Sequence, residues 1–363
     1  MLRLSVAAVI LVTTMSAAAA DVAKARAESV ARPQHPTLLV KLAMALAAEG
    51  QEDEAVRVLE RVAAMGFVYS LKEPELDSVR ARVAEKFAVN AQAIGEARQE
   101  FVVEGRGMIP EGLAFDGRRF FVSTVRKKAI FAVDERGRAS VLVQDLPTGV
   151  YGLSFDRTRN ALWAAAESAV LRIDPRSGRV LQTLKLEGDH AIGDVVAAAD
   201  GEVYVSDSKG TVVHRVAGDA LVPFLSGPFR SLQGLAPWGE KLYIADYSHG
   251  LFAADRRTGD LVALRVPPNV SLLGVDGLYA ANATTLFATQ NGTNPNRVLR
   301  IHLAEGGLVV ESVATLLAND ARMTDPTLGV LARNRFFFNA NGQWEEKDPE
   351  KLQDALVLSV PAH

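Results

Sequence analysis

The chain is 363 residues long and 48% apolar, with 40 basic against 43 acidic residues and a formal net charge of −3. Such a length and apolar share can bury a large core and leave room for more than one domain. The even charge balance argues against nucleic acid or an anionic membrane surface as partner, and the lack of cysteine excludes disulfides, thiol nucleophiles and thiolate metal sites.

In chain order, residues 1–20 read as a secretory signal: Arg3, an apolar run from Leu4 to about Thr14, and a small-residue stretch ending at Ala20. The apolar run is shorter than the ~20 residues of a spanning helix, which favours cleavage before Asp21 over a membrane anchor. The expectation is a periplasmic or secreted protein, with no membrane insertion after signal cleavage. From Pro36 to about Arg98 the apolar spacing is helical. Leu38, Leu39, Leu42, Ala43 and Leu46 share one face, Gly50 interrupts, and Ala55, Val56, Val58, Leu59 and Val62 form a second face closed by Gly66. This predicts an antiparallel helix pair, and a further polar helix from about Pro74 to Ala97. The stretch LAMALAAEGQEDEAVRVLERVAAMG resembles one tetratricopeptide unit. One unit cannot make a solenoid. Residues 21–99 are therefore expected to form a helical hairpin or cap, with a peptide-binding groove for a protein partner as the alternative.

After Glu100 the period changes to short alternating runs separated by DG, RG and SG turns, the signature of strands and hairpins. Six segments start alike: EGLAF at Glu111, YGLSF at Tyr151, GDVVA at Gly193, QGLAP at Gln233, DGLYA at Asp276 and TLGVL at Thr327. Spacings of about 40 to 50 residues with four strands each belong to β-propeller blades. The sixth unit is one strand short, and EFVVEG at 100–105 is placed to supply it, removing two exposed edges. The fold class expected is mainly β: a six-bladed propeller over residues 100–363, preceded by the small helical segment.

In an up-and-down blade the start of the innermost strand and the end of the second lie at the same end of the sheet. The six starting positions should therefore ring one mouth of the central channel, joined by the turns after each second strand: Ser123 and Thr124, Glu167, Asp207 and Ser208, Asp246 to His249, Gln290 and Asn291, Asn339 and Asn341. Two carboxylates and an amide oxygen converging there repel one another unless a cation neutralises them. An all-oxygen donor set suits Ca²⁺ or Mg²⁺. The alternative is a water-filled channel whose strand ends tolerate charge. His190 and His249 map to this face as acid–base candidates, Tyr151 could bond a substrate or pack across the channel, Trp238 reads as a packing residue, and His214 as structural.

The phrases PEGLAFDG with FFVST, GDVVAAADGEVYVSDS, LQGLAPWGEKLYIADYSHG and VDGLY resemble, in that order, the gluconolactonase, regucalcin (senescence-marker) and lactonase-like superfamily of six-bladed propellers. The resemblance implies a divalent metal held at Glu111, Gln233 and Asp276, with calcium the first expectation and Mg²⁺, Mn²⁺ or Zn²⁺ as alternatives. It further implies that Asp276 is the catalytic base activating water against a lactone or ester carbonyl. Gln233 replaces an asparagine of that pattern, and the third-blade Asn-Asp pair falls on Gly193 and Asp194. Asp194, Tyr151, His190 and His249 complete the expected substrate pocket. Two hypotheses follow: a periplasmic or secreted metal-dependent hydrolase of a lactone or small ester, or a non-catalytic propeller whose helices recruit a protein partner and whose channel site is degenerate.

Overall fold

The computed structural model describes residues 17–362, and the chain divides into two compact units, Met1–Ala88 and Val89–His363. Residues 1–16, most of the expected signal, lie outside the described residues. Among the described residues four short helices precede the strands: α1 (Ala17–Ala31), α2 (Pro36–Ala48), α3 (Glu52–Ala64) and α4 (Asp77–Asn90). Among the described residues no helix is long and apolar enough to cross a membrane. Pro36 opens α2 where a missing N–H costs nothing, and Gly50 takes a left-handed φ of 71° to turn the chain into α3. Glu52, Asp53 and Glu54 start α3 and Arg61 sits in its last turn, matching the helix dipole. The faces read from the sequence meet: Leu39, Leu46, Leu59, Leu76 and Val79 are buried in one core. Helix α1, built of alanine and charged residues with only a weak apolar stripe, was not among the expected elements. The polar helix expected to reach Ala97 stops at Asn90, because Ile94 instead pairs with Ala318 through two backbone hydrogen bonds.

The second unit is a six-bladed β-propeller of 24 strands in six four-stranded antiparallel sheets. The innermost strands are Pro110–Phe115, Leu153–Asp156, Ile192–Ala197, Leu232–Trp238, Val275–Asn282 and Gly329–Ala332. Four of them contain a repeat start, and the other two begin two residues after theirs, at Leu153 after Tyr151 and at Gly329 after Thr327. In the last blade Arg98–Val103 pairs with Ala355–Pro361, register Phe101 to Val357 and Val103 to Ala355, so the ring is closed between chain ends as the missing-strand argument expected.

The blades are joined by apolar layers shared between neighbours. Phe121, Ile130, Leu162 and Ile173 bind blade 1 to blade 2, while Phe101, Phe120, Val122 and Phe337 bind blade 6 to blade 1. Each such side chain, fully buried, contributes about 1.5–3 kcal/mol. Trp238 does not belong to any layer; it stands 42% exposed at the end of its strand, contrary to its reading as a packing residue. His214 is buried at 5% exposure on the third strand of blade 3, and burial holds its imidazole below the ordinary pKa.

The glycine that follows most repeat starts has a steric cause. A Cβ on Gly112 would strike the Tyr151 carbonyl oxygen and come within 2.7 Å of the Leu153 nitrogen, and one on Gly234 would lie 2.5 Å from the Leu278 nitrogen. Innermost strands of adjacent blades pass too closely for a side chain there.

Candidate functional site

At the mouth formed by the innermost strands lies a cavity of about 1110 Å³, lined by Glu111, Tyr151, Gly193, Gln233 and Asp276 among others. Five of the six repeat starts thus meet on one surface. The sixth, Thr327, does not: it is fully buried, and its Oγ1 lies 3.2 Å from the carbonyl oxygens of both Pro110 and Glu111, where it stitches blade 6 to blade 1.

Glu111 and Asp276 are 8% and 7% exposed. Burial, followed by the neighbouring Asp276 charge, pushes the Glu111 carboxyl well above the ordinary range. Burial likewise pushes Asp276 up to about 7, with the Asp325 charge adding to it and a hydrogen bond from Asn291 opposing it. Asn291 Nδ2 donates to Asp276 Oδ2 at 2.9 Å, and Trp344 Nε1 donates to Glu111 Oε2 at 2.9 Å. Gln233 Nε2 donates to Ser231 Oγ at 3.2 Å, which leaves Oε1 as the amide atom able to ligate. Asn291 Oδ1 is buried with no hydrogen-bond partner. Buried acids without a basic neighbour, beside an orphaned amide oxygen, are a donor set suited to a hard cation. Among the described residues no three His, Asp or Glu side chains are gathered as a metal cluster. Two carboxylates would therefore need the amide oxygens of Gln233 and Asn291 to complete such a site.

Other expected site residues are placed differently. Asp194 does not line this cavity; it takes the position that glycine holds in other blades, its backbone N–H donating to Ser206 Oγ as that of Gly112 does to Ser123 Oγ. From there its carboxylate reaches the next blade, Oδ2 accepting from the Leu235 N–H at 3.1 Å and Oδ1 from that of Val195 at 2.9 Å. It lines a smaller inner cavity in the channel instead. His249 is also off the cavity. Its backbone N–H donates to Asp246 Oδ1 and its Nδ1 lies 3.2 Å from that same oxygen, so it belongs to the turn after the second strand of blade 4. Asp207 and Asp246, expected at the mouth, are fully buried and staple loop backbone: Asp246 accepts from Arg230, Ser231, Ser248 and His249 N–H groups. His190 does line the cavity, yet both ring nitrogens are engaged, Nδ1 with Asp207 Oδ2 at 2.6 Å and Nε2 with the Glu187 carbonyl oxygen at 3.0 Å. The bond to Asp207 raises its pKa.

Among the lining residues, Asp325 and Trp344 went unread in the sequence, while Tyr247 falls in the turn from Asp246 to His249 that was expected at the mouth. Asp325, on the approach to blade 6, has its carboxyl raised by burial and by the Glu345 charge. Tyr247 packs so close to Gly292 that a Cβ there would lie 2.5 Å from the ring, and burial followed by the Asp276 charge pushes its hydroxyl up to about 12. Trp344 sits in the loop between the second and third strands of blade 6, its ring within 12° of parallel to Tyr151 with centroids 6.3 Å apart. The available signal was a lone tryptophan three residues after NAN, whose two asparagines follow the second strand of blade 6.

No family model matches the chain, and a search of curated proteins finds no match. Solved structures do match. A gluconolactonase from Xanthomonas campestris aligns at 17% identity and TM-score 0.52, covering 76% of this chain and 93% of that one. The calcium-binding protein regucalcin from Agrobacterium tumefaciens aligns at 14% identity and TM-score 0.54, covering 73% and 96%. A PQQ-bound aldose sugar dehydrogenase from Streptomyces coelicolor aligns at 15% identity and TM-score 0.55, covering 74% and 98%. At these identities the shared property is the propeller fold, and the three proteins carry different activities on it.

Proposed function

We propose that the propeller is a hydrolase of a lactone or small ester, with a divalent cation held by Glu111 and Asp276 and by the amide oxygens of Gln233 and Asn291. The observation that carries this reading is the buried, unpaired carboxylate pair at the channel mouth beside the orphaned Asn291 Oδ1. Such a cluster is unfavourable as it stands and becomes favourable once positive charge is supplied. The gluconolactonase and regucalcin folds add support by analogy.

When bound, the cation would polarise the carbonyl of the substrate. The chain's own part is proton transfer and positioning. Asn291 fixes Asp276 Oδ2, so Oδ1 is left to accept a proton from water. Trp344 holds Glu111 in place. The leader read at residues 1–20 would put this activity in the periplasm or outside the cell.

The test is Asp276→Ala and Glu111→Ala against a panel of lactones and aryl esters, with melting temperature recorded with and without calcium. Both variants should lose turnover and the calcium-dependent rise in melting temperature while retaining the native circular dichroism spectrum. Turnover undiminished in Asp276→Ala would refute the assignment. The competing reading, a non-catalytic binding propeller, draws on the missing side chain at Gly193 and the longer amide at Gln233. It predicts a wild-type protein that hydrolyses none of the panel.

A further inference from the structure

We infer that Trp344 and Tyr151 form a stacking wall beside Glu111, and that the ligand of this cavity carries an uncharged ring lying against it. The inference rests on the lactone reading only for its choice of probe. The two rings stack within 12° of parallel with their centroids 6.3 Å apart, and both line the cavity. Trp344 is 40% exposed, so its surface is open to a ligand rather than spent in the core. Its orientation is fixed at two points: the indole N–H donates to Glu111 Oε2 at 2.9 Å, and the backbone N–H donates to Asp325 Oδ2 at 3.1 Å. A ring held in this way is preorganised for stacking, which lowers the ordering cost of binding. An exposed tryptophan with no such ties would carry no recognition argument.

Charge narrows the class. Beyond the Glu111 and Asp276 carboxylates, the cavity is lined by Glu167, Asp189, Asp325, Glu345 and Glu346, against a single lysine, Lys351, and His190, which is bonded to Asp207. A divalent cation at the mouth would offset the first two acids and leave the rim negative. A carboxylate or phosphate on the ligand would meet that rim at a cost, whereas a neutral ring would not.

The experiment measures binding by titration calorimetry, using lactams that resist hydrolysis so that turnover plays no part. The probes are 3,4-dihydro-2-quinolinone, with a fused arene, δ-valerolactam, with the same ring and no arene, and a carboxylated dihydroquinolinone. Wild-type protein should bind the arene-bearing lactam about tenfold tighter than δ-valerolactam, the scale of one aromatic stacking contact. Trp344→Leu should abolish that preference, and Trp344→Phe, which keeps a ring but loses the N–H tie, should retain more of it than Trp344→Leu. The carboxylated probe should bind more weakly than its neutral parent. Equal wild-type affinities for the two neutral probes, or a preference that survives in Trp344→Leu, would overturn the wall. Carboxylated and neutral probes binding alike would overturn the charge selection. A wall that behaves as expected in a protein that hydrolyses no lactone would uphold this inference and reject the hydrolase.

Discussion

Asp194 shows how one residue's chemistry follows from its register. At a position where its neighbours carry glycine, its side chain is forced against the backbone of the next blade, where it accepts the Leu235 N–H, while its other oxygen accepts the Val195 N–H of its own strand. Burial pushes its carboxyl up to about 7, with those hydrogen bonds opposing the shift. An unfolded aspartate titrates near pH ~4, so between about 4 and 7 the folded chain holds a proton that the unfolded chain has released. Stability therefore falls as pH rises through that window. Asp276 and Glu111, raised in the same direction, add to the same slope. Asp194→Asn should flatten part of it, read as melting temperature against pH from 4 to 7 in metal-free buffer, and an unchanged slope would place the titration elsewhere. The variant also sets an amide donor against a backbone N–H, which costs about 1 kcal/mol at every pH.

At the scale of the element, the innermost strand is specified by a starting residue and a glycine. In blades 1, 2 and 4 the start lines the mouth and the glycine admits the neighbouring strand. Gly112→Ala and Gly234→Ala each place a methyl group against backbone atoms of the next blade, which have no rotamer with which to yield. Each should destabilise the propeller by about 3 kcal/mol or more, measured by urea unfolding, as strain and lost interblade packing combine. A loss below about 1 kcal/mol would show that the blades can separate without penalty. The acids that end the second strands, Asp207 and Asp246, belong to the same logic: their carboxylates hold loops, and for that reason they are withdrawn from the cavity.

For the whole molecule the decisive event is ring closure. Arg98–Val103 is the outer strand of the last blade, and Phe101 and Val103 join the apolar layer between blades 6 and 1. Removing residues 98–103 should leave the strand Ala355–Pro361 with an open edge, and the chain should elute as aggregate on size exclusion. A soluble monomer with unchanged melting temperature would mean that the closing strand is dispensable. The smaller variant Phe101→Ala should stay folded and lose about 3–5 kcal/mol through the cavity it leaves.

The sequence by itself determined the propeller, its six repeat starts and its closure, because strand alternation and a recurring interval are local properties that survive without a partner. It also identified Glu111, Gln233 and Asp276 as neighbours, since positions equivalent by repeat share one end of the ring. Only the tertiary structure decided what stands between those positions. Asp194 reads as a third-blade site acid until its register places it at the glycine position, and Thr327 reads as a mouth residue until it is seen buried against the first blade. Trp344 and Asp325 lie in connections outside the repeat, where no periodicity marks them, and they reach the cavity through long-range packing. The helical likeness of LAMALAAEGQEDEAVRVLERVAAMG was legible as a hairpin for the same local reason, whereas the helix α1, supported by alanine propensity more than by an apolar stripe, left little pattern to read.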